Sequence, residues 1–142
     1  MDQVVIEASV AVKWFVVEPY SNEARRVLDT YQSGKASFHA PDLLPSEFAN
    51  TIWKKQLFQG LAEADAKDIF AAFRRLQIAL VPAMSLLDDA YKLAITHRRS
   101  VYDALALALS LREKCPLVTA DERFVNALTG SHSQVIWVGN WP

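Results

Sequence analysis

The chain has 142 residues, 51% of them hydrophobic, and its 15 Lys and Arg nearly balance 16 Asp and Glu. That length accommodates one domain, 1–142, with a substantial core, and the composition excludes intrinsic disorder, a collagen-like repeat and a disulfide scaffold. A net charge of −1 excludes a strongly basic nucleic-acid scaffold.

Taken in chain order, the punctuation alternates short apolar runs with longer amphipathic segments. Val4–Ile6 is a β-branched run sized for a buried strand. Ser9 follows as a candidate cap for a helix whose apolar residues, through Trp14 and Phe15, lead to Pro19. Residues 21–33 place Ala24, Val27, Leu28 and Tyr31 on one helical face, and Gly34 stops it. A strand is expected at 36–40. The segment 44–58 reads as a helix with Pro45 in its first turn and Phe48, Ile52 and Trp53 on one stripe. A second helix at 62–76 turns Ile69, Phe70, Phe73 and Leu76 inward, making an αα-hairpin. A strand at 78–83 precedes a helix at 85–97 with Ser85 as its cap, and Ser100 opens the most apolar helix, 101–113. Strands at 116–120 and 135–138 flank a helix at 121–129.

Short strands alternating with helices predict an α/β domain with a mainly parallel central sheet and helices on both faces. Cys115 is the lone cysteine, without an internal disulfide partner, and reads as a buried residue of a protein in a reducing, cytoplasmic compartment. The first seven residues contain two acids, unlike a secretory leader. The apolar stretch 104–111 is too short to span a membrane, so no membrane association is expected.

The informative acids lie where strands run into helices. Glu7 follows the first strand, Asp121 follows the strand at 116–120, and Glu47 and Asp103 sit in first helical turns. Ligands of open α/β sheets bind at the carboxyl ends of strands, so these four acids can converge on one rim. Carboxylates gathered there repel one another unless a cation neutralises them. Their hard oxygens suit Mg²⁺ or Mn²⁺, and such a site can activate water for phosphodiester hydrolysis. Helix capping and the helix dipole explain Glu47, Asp103 and Asp121 as well, whereas a carboxylate adjoining a buried strand needs a partner.

The segments VVIEASVAVKWF (4–15), APDLLPSEFANTIWK (40–54), SVYDALALALS (100–110) and PLVTADERF (116–124) resemble PIN domains of the VapC type, the toxin half of type II toxin–antitoxin pairs. The resemblance implies a PIN-like (Rossmann-like) three-layer α/β/α sandwich. It implies a Mg²⁺- or Mn²⁺-dependent endoribonuclease that forms a homodimer and is inhibited by a cognate antitoxin. Glu47, Asp103 and Asp121 match the second, third and fourth family acids, and Thr119 the hydroxyl residue before the last. The first position departs, because Glu7 stands where the family has Asp. The added methylene pushes the carboxylate outward by one bond, which leaves a catalytically weakened RNA- or protein-binding module as the alternative.

An RNA substrate calls for cations. Arg98 and Arg99, just before the helix bearing Asp103, are the best phosphate-contact candidates, with Lys13 beside Ser9 as a third. Solvated helix ends are the competing explanation. Ser9 suits either a cap or a metal-bound water. His39 and His132 read as structural. Trp14, Phe15 and Trp53 read as core or subunit-interface anchors, and the 44–76 hairpin offers a groove for an antitoxin helix. A receiver-like signalling domain is disfavoured, since Gly139-Asn140-Trp141 follows the last strand without a Lys. Setting four site acids aside leaves 15 cations facing 12 acids, a mildly basic surface arranged in doublets.

Overall fold

The β-branched run Val4–Ile6 forms the inner half of strand β1 (Asp2–Ile6), and its alternating side chains divide the core in two. Val4 and Ile6 face one layer, Val5 the other. The computed structural model describes residues 2–128 and 130–142. Met1, part of the leader argument, and Thr129, the expected end of the last helix, lie outside the described residues.

Five strands form the sheet: β1, β2 (Ala36–Pro41), β3 (Ala79–Val81), β4 (Leu117–Thr119) and β5 (Val135–Trp137). Their order is β3-β2-β1-β4-β5, and every recorded pairing is parallel. The chain winds outward from β1 through β2 to β3, then crosses to β4 and β5, so the direction of winding reverses between β1 and β4. The gap at that reversal is where open α/β sheets hold ligands.

Helices α1 (Ala8–Val12), α2 (Ser21–Gln32), α3 (Leu44–Phe58) and α4 (Glu63–Arg75) share one core with Val4, Ile6 and Phe38. Helices α5 (Leu87–His97), α6 (Val101–Glu113) and α7 (Glu122–Ala127) share the other with Val5 and Leu117. The expected three-layer sandwich is therefore present. Aromatic rings consolidate the first layer: Trp14 and Tyr31 both stack on Phe38, and Phe48 stacks on Phe73 with ring centroids 4.0 Å apart. The Trp14 indole N–H donates to the Ala24 carbonyl at 2.8 Å, so this large side chain is buried without an orphaned donor.

The helices at 44–58 and 101–113 match their expected bounds, and Ser100 caps α6 by accepting the Asp103 N–H at 3.2 Å. Two expected caps differ. α1 starts directly off β1 with Glu7 at the N-cap position, which puts Ser9 inside the helix. Ser85 lies within a 3₁₀ turn (Ala83–Leu86) that leads into α5 and bonds the Pro82 carbonyl. Trp53 is also displaced from expectation: it is 53% exposed, while Phe48 and Ile52 of the same helix are buried. At three residues per near-turn, Trp53 falls one position past the buried stripe. Cys115 is buried as expected, beneath a 2.6 Å hydrogen bond from Ser110 Oγ to its carbonyl.

Candidate active site

Four short connections position the acids. β1 hands directly to α1, leaving Glu7 in extended conformation at the junction. β4 hands to α7 through Ala120 and Asp121, and the Asp121 carboxylate accepts the Phe124 N–H at 3.2 Å as a cap. Ser100 fixes the first turn of α6 and so the backbone of Asp103. Glu47 rides the first turn of α3, behind Pro45.

The electrostatics show that these acids sense one another. Glu7 Oε1 is buried with no hydrogen-bond partner among the described residues. Burial, then the neighbouring charge of Asp103, push the Glu7 carboxyl up to about 8, and Glu47 and Asp121 add to the push. Only the Thr119 hydroxyl opposes the shift, by hydrogen bonding the carboxylate. Thr119 is itself fully buried and accepts the Asp121 N–H at 3.1 Å, so it links the first and fourth acids. Glu47 stands at the exposed rim; partial desolvation and then Asp103 raise its carboxyl above the ordinary range. Glu7 and Glu47 line one narrow cleft together with Tyr102, Leu43 and Leu105.

A resident cation sits at the other side. Arg99 Nη2 donates to Asp121 Oδ2 at 2.8 Å and to Asp103 Oδ2 at 3.1 Å. Its guanidinium carbon lies 5.1 Å from the centre of the Phe124 ring, and its Nε is buried without a partner among the described residues. Arg99 lies just ahead of the α6 cap, so its nearness to Asp103 is readable from sequence, but the bridge to Asp121 is not.

The remaining expected residues are scattered. Ser9 is exposed on α1, and Arg98 is exposed in a left-handed conformation (φ 53°) between α5 and α6. Lys13 is buried and committed to Glu18 Oε1 at 3.0 Å, so its charge is not presented at the rim. His39 pairs with Glu113 at 3.1 Å, and His132 packs edge-on against His97. Sequence reasoning missed Glu18, whose second oxygen takes Lys55 at 2.9 Å, and Tyr102, which lines the cleft.

The four carboxylates are an all-oxygen donor set of the kind that hard divalent ions prefer. The partnerless Glu7 oxygen, held among like charges, fits a group that awaits a cation. As they stand, however, no three His, Cys, Asp or Glu side chains among the described residues are grouped closely enough to hold a metal ion.

A doubly wound parallel sheet with acids around its reversal matches a known family: the PIN domain profile covers residues 4–127, and the chain belongs to the PIN domain family. Among curated relatives, it is 30% identical over 125 residues to Ribonuclease VapC3 of Pyrobaculum aerophilum, covering 85% of this chain and 91% of that protein. It is 33% identical over 85 residues to Ribonuclease VapC9 of Mycobacterium tuberculosis, covering 60% of this chain and 65% of that one. Two solved structures share the fold at a TM-score of 0.64. One is Mycobacterium tuberculosis VapC20, described as a Sarcin-Ricin loop cleaving toxin (14% identity; 93% of this chain, 98% of that one). The other is VapBC2 from Rickettsia felis bound to a DNA fragment from its promoter (10% identity; 95% and 96%).

Proposed function

We propose that the protein is a divalent-metal-dependent endoribonuclease acting as the toxin of a toxin–antitoxin pair. The observation that carries the reading is the buried Glu7 carboxylate, without a partner on one oxygen and facing Asp103, Glu47 and Asp121. Burial of an unpaired carboxylate among others costs several kcal/mol unless it is protonated or a cation arrives. The ribonuclease names of the relatives, one aligned over most of both chains, support RNA as the substrate.

Glu7, Glu47, Asp103 and Asp121 are the residues that would hold Mg²⁺ or Mn²⁺. When bound, the metal supplies positive charge at the phosphate and a more acidic water for in-line attack at phosphorus. The chain's own part is positioning. Thr119 orients Glu7 while accepting the Asp121 N–H, Ser100 fixes Asp103, and the Phe124 N–H holds Asp121. Arg98, exposed at the α5–α6 corner, is free to meet a phosphate, and Arg99 stands beside the acids. Tyr102, 68% exposed at the cleft mouth, offers a flat face to a base. The weakened, binding-only alternative is not favoured despite Glu7 standing where the family usually has Asp, because the chain matches the PIN family over residues 4–127 and a curated VapC ribonuclease over most of both chains.

The antitoxin and a second copy of this chain are the expected partners. An exposed apolar surface exists for them, at Trp53, Leu57 and Phe58 on α3 and at Leu87, Tyr91 and Ile95 on α5. No helix is long and apolar enough to cross a membrane among the described residues. The test is RNA cleavage by the purified chain with Mg²⁺ or Mn²⁺. Wild type cuts and chelator stops it, and Asp103→Asn or Asp121→Asn lowers the rate at least about a hundredfold. Undiminished cleavage by those variants overturns the four-acid site.

A further inference from the structure

We propose that Arg99 is a resident cation that holds Asp103 and Asp121 together in the metal-free protein and is displaced from them when a divalent ion binds. The inference rests on the metal-site reading above and extends it to a residue that is not a ligand.

The geometry is that of a bridging ligand. A single nitrogen, Nη2, serves one oxygen of each carboxylate, at 3.1 Å and 2.8 Å. Asp103 comes from α6 and Asp121 from the end of β4, so this one group ties together two elements that carry like charges toward the same cleft. Arg99 is not a loose surface side chain. It is 23% exposed, its guanidinium packs against Phe124, and its backbone N–H donates to the Ala94 carbonyl at 3.2 Å. The buried Nε lacks a partner among the described residues. The two carboxylate contacts and the Phe124 ring offset the cost of leaving that donor unpaired.

An ion held by Asp103 and Asp121 would compete with Arg99 for their negative charge, because the guanidinium already occupies one oxygen of each and Mg²⁺ demands oxygens at about 2.0–2.1 Å. Two adjacent cations also repel. Guanidinium and divalent ion are therefore alternative occupants, and whichever is present sets the spacing of the two carboxylates. Because the Arg99 backbone is anchored, the exchange needs only a side-chain rotation, and the freed guanidinium remains beside the cleft.

The test compares full-length wild type, Arg99→Gln and Arg99→Lys, titrated with Mn²⁺ by calorimetry and unfolded thermally in chelator. Loss of the competing cation should tighten Mn²⁺ binding in Arg99→Gln on the order of tenfold, equivalent to about 1.4 kcal/mol. The same variant should melt lower in chelator and recover with Mn²⁺; Arg99→Lys should fall between the two. Equal or weaker Mn²⁺ binding by folded Arg99→Gln overturns the proposal. Should that variant not fold, the wild-type Arg99 ¹⁵Nε–Hε signal serves instead. Its movement during a Mg²⁺ titration supports the exchange, and a stationary signal at saturation overturns it. Absence of Mn²⁺ binding in every variant, wild type included, defeats the metal-site reading itself and the exchange with it.

Discussion

Lys55 on α3 donates to Glu18 Oε2 at 2.9 Å, across thirty-seven residues of chain. Lys13 takes the other oxygen at 3.0 Å. The carboxylate thereby ties the α1–α2 connection to the helix that carries Glu47. Burial pushes the Glu18 carboxyl up, but the hydrogen bonds from Lys55 and then Lys13 outweigh it, and the group ends below its ordinary value. A depressed carboxyl contributes stability that is present above the unfolded value of 4.5 and lost as pH falls through the folded one. Glu18→Gln should therefore cost about 1–3 kcal/mol at neutral pH, with the difference shrinking in acid. Urea unfolding at neutral pH and below pH 4 checks both parts.

Glu7 has the opposite sign. Its folded value, about 8, lies above the unfolded 4.5, so the folded metal-free protein holds a proton that the unfolded chain has lost. Stability in chelator should fall as pH rises through that window. Glu7→Gln, neutral and similar in shape, should flatten the dependence, and divalent ions should raise the wild-type Tm most at the alkaline end. Melting curves across the window, with and without metal, measure this. A wild-type Tm that climbs with pH in chelator contradicts it.

Ser100 affects both stability and site geometry. Ser100→Ala removes the α6 cap and should cost about 1 kcal/mol, or about 3 °C in Tm for a chain of this size. It also frees the Asp103 N–H, so RNA cleavage at a temperature where the variant is fully folded should fall further than the stability loss explains. Ser100→Asp should restore the Tm, which separates capping from any effect of the hydroxyl on substrate.

Two aromatic residues of α3 should behave in contrasting ways. Phe48 is fully buried and stacked on Phe73, and Phe48→Ala should cost about 3–5 kcal/mol. Trp53 is exposed, and Trp53→Ser should change stability by less than about 0.5 kcal/mol. If Trp53 anchors a partner, its substitution weakens antitoxin binding in a pull-down while leaving the melting curve in place.

Local features of the fold were legible because local chemistry sets them. Val4–Ile6 could only be a buried strand, and Ser100 and Asp121 cap their helices as their positions imply. Errors arose where a choice depended on contacts distant in sequence. Ser9 is a good capping residue, yet α1 begins two residues earlier, because β1 passes straight into it at Glu7. Lys13 has the right position for a rim cation, but it is buried and paired with Glu18, which Lys55 also engages. The acids at strand ends were visible from spacing; the Arg99 bridge to Asp121 was not, since it joins residues 22 apart through the turn of the sheet.

Strand order also has a temporal consequence. Val5 and Ile6 take as partners Leu117 and Val118, near the opposite end of the chain. During synthesis, β1 leaves the ribosome early and lacks its neighbour on that side until some 110 further residues have been made. Asp121 emerges after β4, so a nascent chain that ends before it carries only an incomplete acid set. The reversal of the sheet thus makes the seam around which the proposed site acids gather depend on two segments synthesised about 110 residues apart.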